Sequence, residues 1–98
     1  MGGYRVVIDD NFHYMDQDER VEHGVFATAD EAIAESQKLV DDCLAHLLRP
    51  GMTTEQLLEQ YYSFGEDPFV VAPAGAAAVK FSAWTYAAHR AAEMTEKH

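Results

Sequence analysis

The sequence is poor in cysteine, in basic residues and in long apolar runs, and each shortage excludes a class of protein. A single cysteine, Cys43, in 98 residues rules out an internal disulfide framework. No apolar run approaches the ~18 residues that a membrane-spanning helix needs, and the chain does not start with the basic and apolar regions of a secretory signal peptide. We therefore expect a cytoplasmic protein that does not bind a membrane.

Basic residues are scarce relative to acidic ones. The chain has 7 Lys and Arg residues against 17 Asp and Glu residues, a net charge of −10, and 11 of the acids lie in residues 1–49. Such a surface repels phosphate backbones and anionic lipids, which disfavours direct binding to nucleic acid or to a membrane. A basic protein partner or a cation fits this charge.

Motifs for phosphate binding and for nucleophilic catalysis are also missing. The sequence has no glycine-rich phosphate loop, since Gly2 and Gly3 precede the first predicted strand and Gly75 is isolated. Neither Ser63 nor Ser82 stands in a nucleophile-elbow context. We predict no catalytic residue and no cofactor, and we favour a non-enzymatic protein.

Apolar side chains, in contrast, are plentiful enough for one core. Hydrophobic residues make up 48% of the chain and charged residues 24%, which are values typical of a globular domain. The length also fits one domain. We predict a single domain over residues 1–98.

The order of the periodic segments predicts an α+β fold. We expect β-β-α-α-β-β-α, with a largely antiparallel sheet and the helices packed on one face. The strands are predicted over residues 4–9, 21–27, 67–73 and 76–82, the last two joined by a turn at residues 73–75. Glu66 and Asp67 are interpreted as turn residues that follow the second helix.

Three helix starts are visible in the sequence. Thr28 with Glu31, and Thr53 with Gln56, have the spacing of a capping box, and Ser82 precedes the last helical pattern. In that last helix the predicted inner stripe consists of Trp84, Ala87, Ala88, Ala91 and Met94.

The acidic stretch "DDNFHYMDQDER", residues 9–20, supports a metal site as one interpretation. An EF-hand calcium loop that starts at Asp9 fails at its sixth and twelfth positions, and one that starts at Asp16 fails at its sixth. A less specific site remains open, because the predicted hairpin could bring His13 and His23 together next to carboxylates. The metal candidates are Asp9, Asp10, His13 and His23, and the alternative function is a divalent metal-binding protein or a small metal-dependent enzyme.

The favoured interpretation of the same stretch is a surface for a protein partner, and the net charge favours a basic one. Phe12 is expected to anchor the segment to the core, because burial of one large aromatic contributes about 1.5–3 kcal/mol. Tyr14 is expected to stay partly exposed. The predicted interaction surface consists of His13, Tyr14, Asp16, Asp18 and Glu19, since interfaces combine aromatic side chains with charged rims.

Several blocks together resemble a known family. "YRVVIDDNFHYMDQDER", "HGVFAT", "PGMT", "FGEDPF" and "FSAW" are similar to blocks in a family of small bacterial proteins of about this length with no assigned function. The resemblance spans nearly the whole chain and implies a single domain in the bacterial cytoplasm. It supplies no catalytic residues.

Overall fold

The computed structural model describes residues 3–10 and 21–96, and at residues 10 and 21 it describes the backbone alone. These ranges form six elements in the order β1 (Tyr4–Asp10), β2 (Val21–Phe26), α1 (Ala29–Leu47), α2 (Thr54–Phe64), β3 (Glu66–Val71) and α3 (Ala83–Glu96). The α+β class is therefore confirmed.

The sheet that the described residues form has the strand order β2-β1-β3, and both pairings are antiparallel. The pairing of β1 with β2 contains an irregularity between Val6 and Val7, which lie opposite Gly24 and Glu22, so that His23 is left over. The pairing of β1 with β3 runs in unbroken register. This second pairing positions the candidate site.

The prediction of a fourth strand is wrong. Residues 76–82, all of them described, form no strand. The turn before them exists, because the Ala76 amide donates to the Pro73 carbonyl at 3.1 Å and Gly75 has a φ of +85°. The three alanines at 76–78 are exposed and offer little side chain to pack on a sheet, and β-propensity depends on that packing. Only three of the four predicted strands are present.

The local signals at the helix starts are confirmed. Both capping boxes close, because the Glu31 amide donates to the Thr28 hydroxyl and the Gln56 amide donates to the Thr53 hydroxyl, each at 3.1 Å. Ser82 accepts from the Thr85 amide at 3.2 Å at the start of α3.

None of the helices in the described ranges is long and apolar enough to cross a membrane.

Helix α1 lies at the centre of the molecule, because it contacts all three strands on one side and packs against both other helices. Each fully buried Leu side chain in this core contributes about 1.5–3 kcal/mol. The buried cluster between the helices consists of Val40, Leu44, Leu57, Tyr61, Ala83, Ala87 and Ala91.

The inner face of α3 differs from the prediction at Trp84. The buried residues are Ala83, Ala87 and Ala91, whereas Trp84 is 42% exposed. Ala87 and Ala91 belong to both faces, so the buried face is shifted by less than one residue, about 40°, from the predicted stripe towards Ala83. Small alanines on the inner face allow α3 to approach its neighbours closely.

The face of the sheet that carries Val7 and Phe69 is the one turned away from the helices. Its described residues line a shallow depression of about 280 Å³ that contains no helix residue. Arg5 Nη1 and Glu22 Oε2 form an exposed ion pair across it, at 3.2 Å. Asp9 shares this face with Val7, because alternate residues of a strand point the same way.

Candidate functional site

Four acidic residues meet where β1 ends and β3 begins. In the antiparallel register Asp9 lies opposite Asp67, and Asp10 lies opposite Glu66. We call Asp9, Asp10, Glu66 and Asp67 the acidic end of the sheet. Residue 10 is also the point from which the sequence continues into the acid-rich residues 11–20.

The pair formed by Asp9 and Asp67 is the best-defined part of the acidic end. Directly opposite side chains in an antiparallel pair have Cβ atoms about 4.5–5.5 Å apart, and like charges in this position destabilise a sheet. Asp67 has no ion pair among the described residues. The fold therefore holds two carboxylates together on the face that the helices leave open.

The electrostatics of Asp67 reflect both its burial and its neighbour. Desolvation by burial and, to a smaller degree, the charge of Asp9 raise the pKa of Asp67 from 3.8 to about 6. Burial raises the pKa of an acid because it disfavours the charged form. Above about pH 6 Asp67 is therefore charged and adds to the negative charge at this end of the sheet.

Glu66 and Asp67 do not lie in a turn, so that interpretation of the sequence is wrong. They are the first residues of β3. The chain leaves α2 and enters the strand directly through Gly65, which has an extended ψ of −179°. This direct entry is what sets Asp67 opposite Asp9.

The metal candidates that lie within the described residues do not form one cluster. Asp9 lies beside Asp67, and Asp10 is described by its backbone alone. His23 is directed to α1, where its Nε2 lies 2.8 Å from Glu35 Oε2. His13 lies outside the described residues. Within the described ranges, no group of three or more Asp, Glu, His or Cys side chains could hold a metal ion.

The predicted interaction surface lies wholly outside the described residues. This applies to His13, Tyr14, Asp16, Asp18 and Glu19, and also to Phe12, the predicted anchor. What the structure does describe is the acidic end, from which this segment starts.

Sequence reasoning missed Asp67 as the neighbour of Asp9. A signal was present in the two acidic dipeptides, Asp9-Asp10 at the end of one predicted strand and Glu66-Asp67 next to the start of another. Antiparallel pairing of these two strands sets the dipeptides against each other. The signal could be used only once the strand order was known.

A pair of exposed aromatic side chains was also missed. The rings of Tyr62 and Trp84 have centroids 4.7 Å apart, and the two residues are 37% and 42% exposed. They join α2 to α3 at the surface. Exposed large aromatics are common in interface cores, but their contact with each other also explains their position.

Comparison of the chain with protein-family models, with curated proteins and with solved structures finds no match. The resemblance of the sequence blocks to small bacterial proteins therefore stays a prediction.

Proposed function

We propose that this protein is a non-enzymatic interaction domain that binds a basic protein partner through the acidic end of its sheet. The surface extends, in this proposal, into His13, Tyr14, Asp16, Asp18 and Glu19. The observation that carries the proposal is the Asp9–Asp67 pair, in which like charges lie opposite each other and the pKa of Asp67 is raised to about 6.

The raised pKa of Asp67 means that its charged form lowers the stability of the isolated chain. Like charges opposite each other in a sheet are unfavourable, and sites that bind a partner often retain such local costs. A Lys or Arg side chain from a partner would form charge-assisted hydrogen bonds with the carboxylates of the acidic end. The net charge of −10 would also speed the approach of a basic partner.

The test is affinity capture from the native cell with three baits. The wild type is compared with Glu66→Gln/Asp67→Asn, which removes two acids from the acidic end, and with Glu59→Gln/Glu96→Gln, which removes two exposed acids from α2 and α3. A basic protein that is released by salt, and that only the first variant fails to hold, supports the proposal. Equal capture by all three baits contradicts it.

A divalent metal protein is the second candidate, and the same carboxylate pair favours it. Asp9 and Asp67 supply hard oxygen donors, which suit Mg²⁺, Mn²⁺ or Ca²⁺. A metal site needs further donors, and Asp10 and His13 are the proposed ones. The family resemblance adds the bacterial cytoplasm as the proposed setting for either function.

A further inference from the structure

A shallow, open cleft of about 590 Å³ lies between the middle of α1, the segment that leads into α3 and the first turns of α3. This volume falls within the range of about 300–1,000 Å³ that is typical of small-molecule sites. None of the residues that form the acidic end lines it. The lining consists of Gln37, Val79, Lys80, Phe81, Ser82, Thr85, Tyr86 and His89.

The charge of this cleft is opposite to that of the whole chain. Although the sequence has 17 acids, the lining among described residues contains none, and it contains Lys80 and His89. Behind the lining, Asp41 accepts from the Tyr86 hydroxyl at 2.9 Å and pairs with Arg90, whose Nε lies 2.8 Å from the same oxygen. Arg90 also pairs with Glu93, Nη1 to Oε1 at 2.9 Å, so both acids near Tyr86 are engaged by this guanidinium. An anion in the cleft would meet Lys80 in a lining that contains no acid.

The cleft also has an apolar wall. Val79 and Phe81 line it, and the rings of Phe81 and Tyr86 have centroids 6.2 Å apart at an interplanar angle of 46°. Next to this wall stand the Ser82 and Thr85 side chains. Small-molecule sites commonly combine an apolar wall with a few polar groups that fix the orientation of the ligand.

We propose that this cleft binds a small aromatic anion. The aromatic ring would lie against Phe81 and Tyr86, and the phosphate or carboxylate group would lie next to Lys80, with hydroxyl groups available as donors. This site is independent of the acidic end, so its failure would not affect the proposed protein interaction.

The experiment is a titration of the isotope-labelled full chain, followed by amide chemical shifts. The probes are phenyl phosphate, benzoate and inorganic phosphate, used at equal ionic strength. We expect saturable shifts centred on residues 79–89 with phenyl phosphate or benzoate, and which of the two binds more tightly identifies the anionic group. Inorganic phosphate, which lacks the ring, should bind at least about fivefold more weakly, which corresponds to about 1 kcal/mol.

Two lysine variants separate a specific site from general attraction. Lys80→Gln should weaken the binding of the aromatic anion by about fivefold, because it removes a charge-assisted contact. Lys38→Gln is the matched control, since Lys38 is an exposed lysine of α1 that does not line the cleft, and it should change the affinity by less than about twofold. Absence of saturable binding, equal binding of inorganic phosphate, or equal effects of the two variants would each overturn the proposal.

Discussion

Asp67 is a residue whose contribution to stability depends on pH. Its pKa in the fold, about 6, lies above the ordinary 3.8, so the folded chain binds this proton more tightly than the unfolded chain does. The sign follows from linkage: the destabilisation is fully present above about pH 6 and is lost as the pH falls towards about 4. An uncharged side chain of the same shape at position 67 should remove this destabilisation.

Asp67→Asn should therefore raise the free energy of unfolding at about pH 7.5. A shift of about two pKa units corresponds to about 3 kcal/mol, and because Asp67 is only partly buried, solvent screening reduces the expected gain to about 1–2 kcal/mol. Denaturant melts at about pH 7.5 and about pH 4 measure it, and the gain should vanish at the lower pH.

The control for this prediction is Asp42→Asn, which removes one exposed carboxylate from α1. It should change stability by less than about 0.5 kcal/mol. Equal effects of the two substitutions would mean that net charge governs the response, and not the burial of Asp67 or its position opposite Asp9.

Gly65 is a second residue whose identity is set by its surroundings. Its φ is −80°, which any residue can adopt, so backbone freedom does not explain the glycine. An added Cβ would lie 2.5 Å from Tyr61 Cδ1 and 2.7 Å from the Tyr61 carbonyl oxygen. Tyr61 is fully buried, and its hydroxyl donates to the Glu66 carbonyl at 2.6 Å. The glycine thus permits the direct passage from α2 into β3.

We expect Gly65→Ala to destabilise the fold by about 1–3 kcal/mol, since extra volume in a packed site forces neighbours to move. Gly24→Ala is the matched control, because its Cβ would meet the Phe26 ring at an ordinary 3.5 Å. That substitution should cost less than about 1 kcal/mol. If urea melts show that the two variants are equally stable, the close approach at Gly65 is not limiting.

At the scale of elements, Asp41 joins α1 to α3. It accepts from the Tyr86 hydroxyl and from Arg90 Nε. Burial, and then the hydrogen bond to Asp41, raise the pKa of Tyr86 to about 12. The stabilisation linked to this phenol is therefore present below about pH 10 and is lost as the pH rises towards about 12.

Asp41→Ala should lower the Tyr86 pKa part of the way towards 10, because burial remains. It should also reduce stability by about 1–2 kcal/mol, since it breaks hydrogen bonds to a charged group. Phenolate absorbance during alkaline titration, with Tyr86→Phe to identify the signal, measures the pKa. Asp42→Ala, one residue away but exposed, should leave the titration unchanged, and a similar shift in both variants would contradict the assignment.

The elements that sequence reasoning predicted well are those defined by local contacts. A capping box needs only residues three apart, so Thr28 with Glu31 and Thr53 with Gln56 could be recognised before any tertiary structure was known. A strand needs a partner elsewhere in the chain. Five of the seven residues 76–82 are apolar, but the segment has no neighbouring strand in the described sheet, which is why that prediction failed.

Trp84 was misplaced for a different reason. Helix α3 is rich in alanine, so two adjacent stripes, one through Ala83 and one through Trp84, are almost equally apolar. The large indole favoured the second stripe on hydrophobicity alone. The stripe through Ala83 is the buried one, because alanine allows short distances between helices. The Trp84 indole packs on Tyr62 at the surface instead.

At the scale of the whole molecule, the candidate site arises from strand pairing. Sequence reasoning identified Asp9 and Asp10 as candidate metal ligands. It could not identify Asp67, which lies 58 positions further along and reaches Asp9 only through the register of β1 with β3. The charge was visible in the composition, whereas its concentration at one end of the sheet was not.

Net charge also predicts how the whole chain responds to salt. With a charge of −10, repulsion within the compact state should weaken as ionic strength rises. Increasing NaCl from about 10 mM to about 300 mM shortens the screening length from about 30 Å to below 10 Å. We expect this change to raise the free energy of unfolding by about 1 kcal/mol, measured in thermal or urea melts.

The same melts, repeated with divalent ions at matched ionic strength, distinguish screening from a metal site. An ion that binds the native state at 100 times its Kd adds about 2.7 kcal/mol. If the acidic end serves a basic protein, Mg²⁺, Mn²⁺, Ca²⁺ and Zn²⁺ should stabilise no more than NaCl does. An excess with one ion that Asp67→Asn abolishes would favour the metal protein instead, because screening does not depend on which carboxylate is removed.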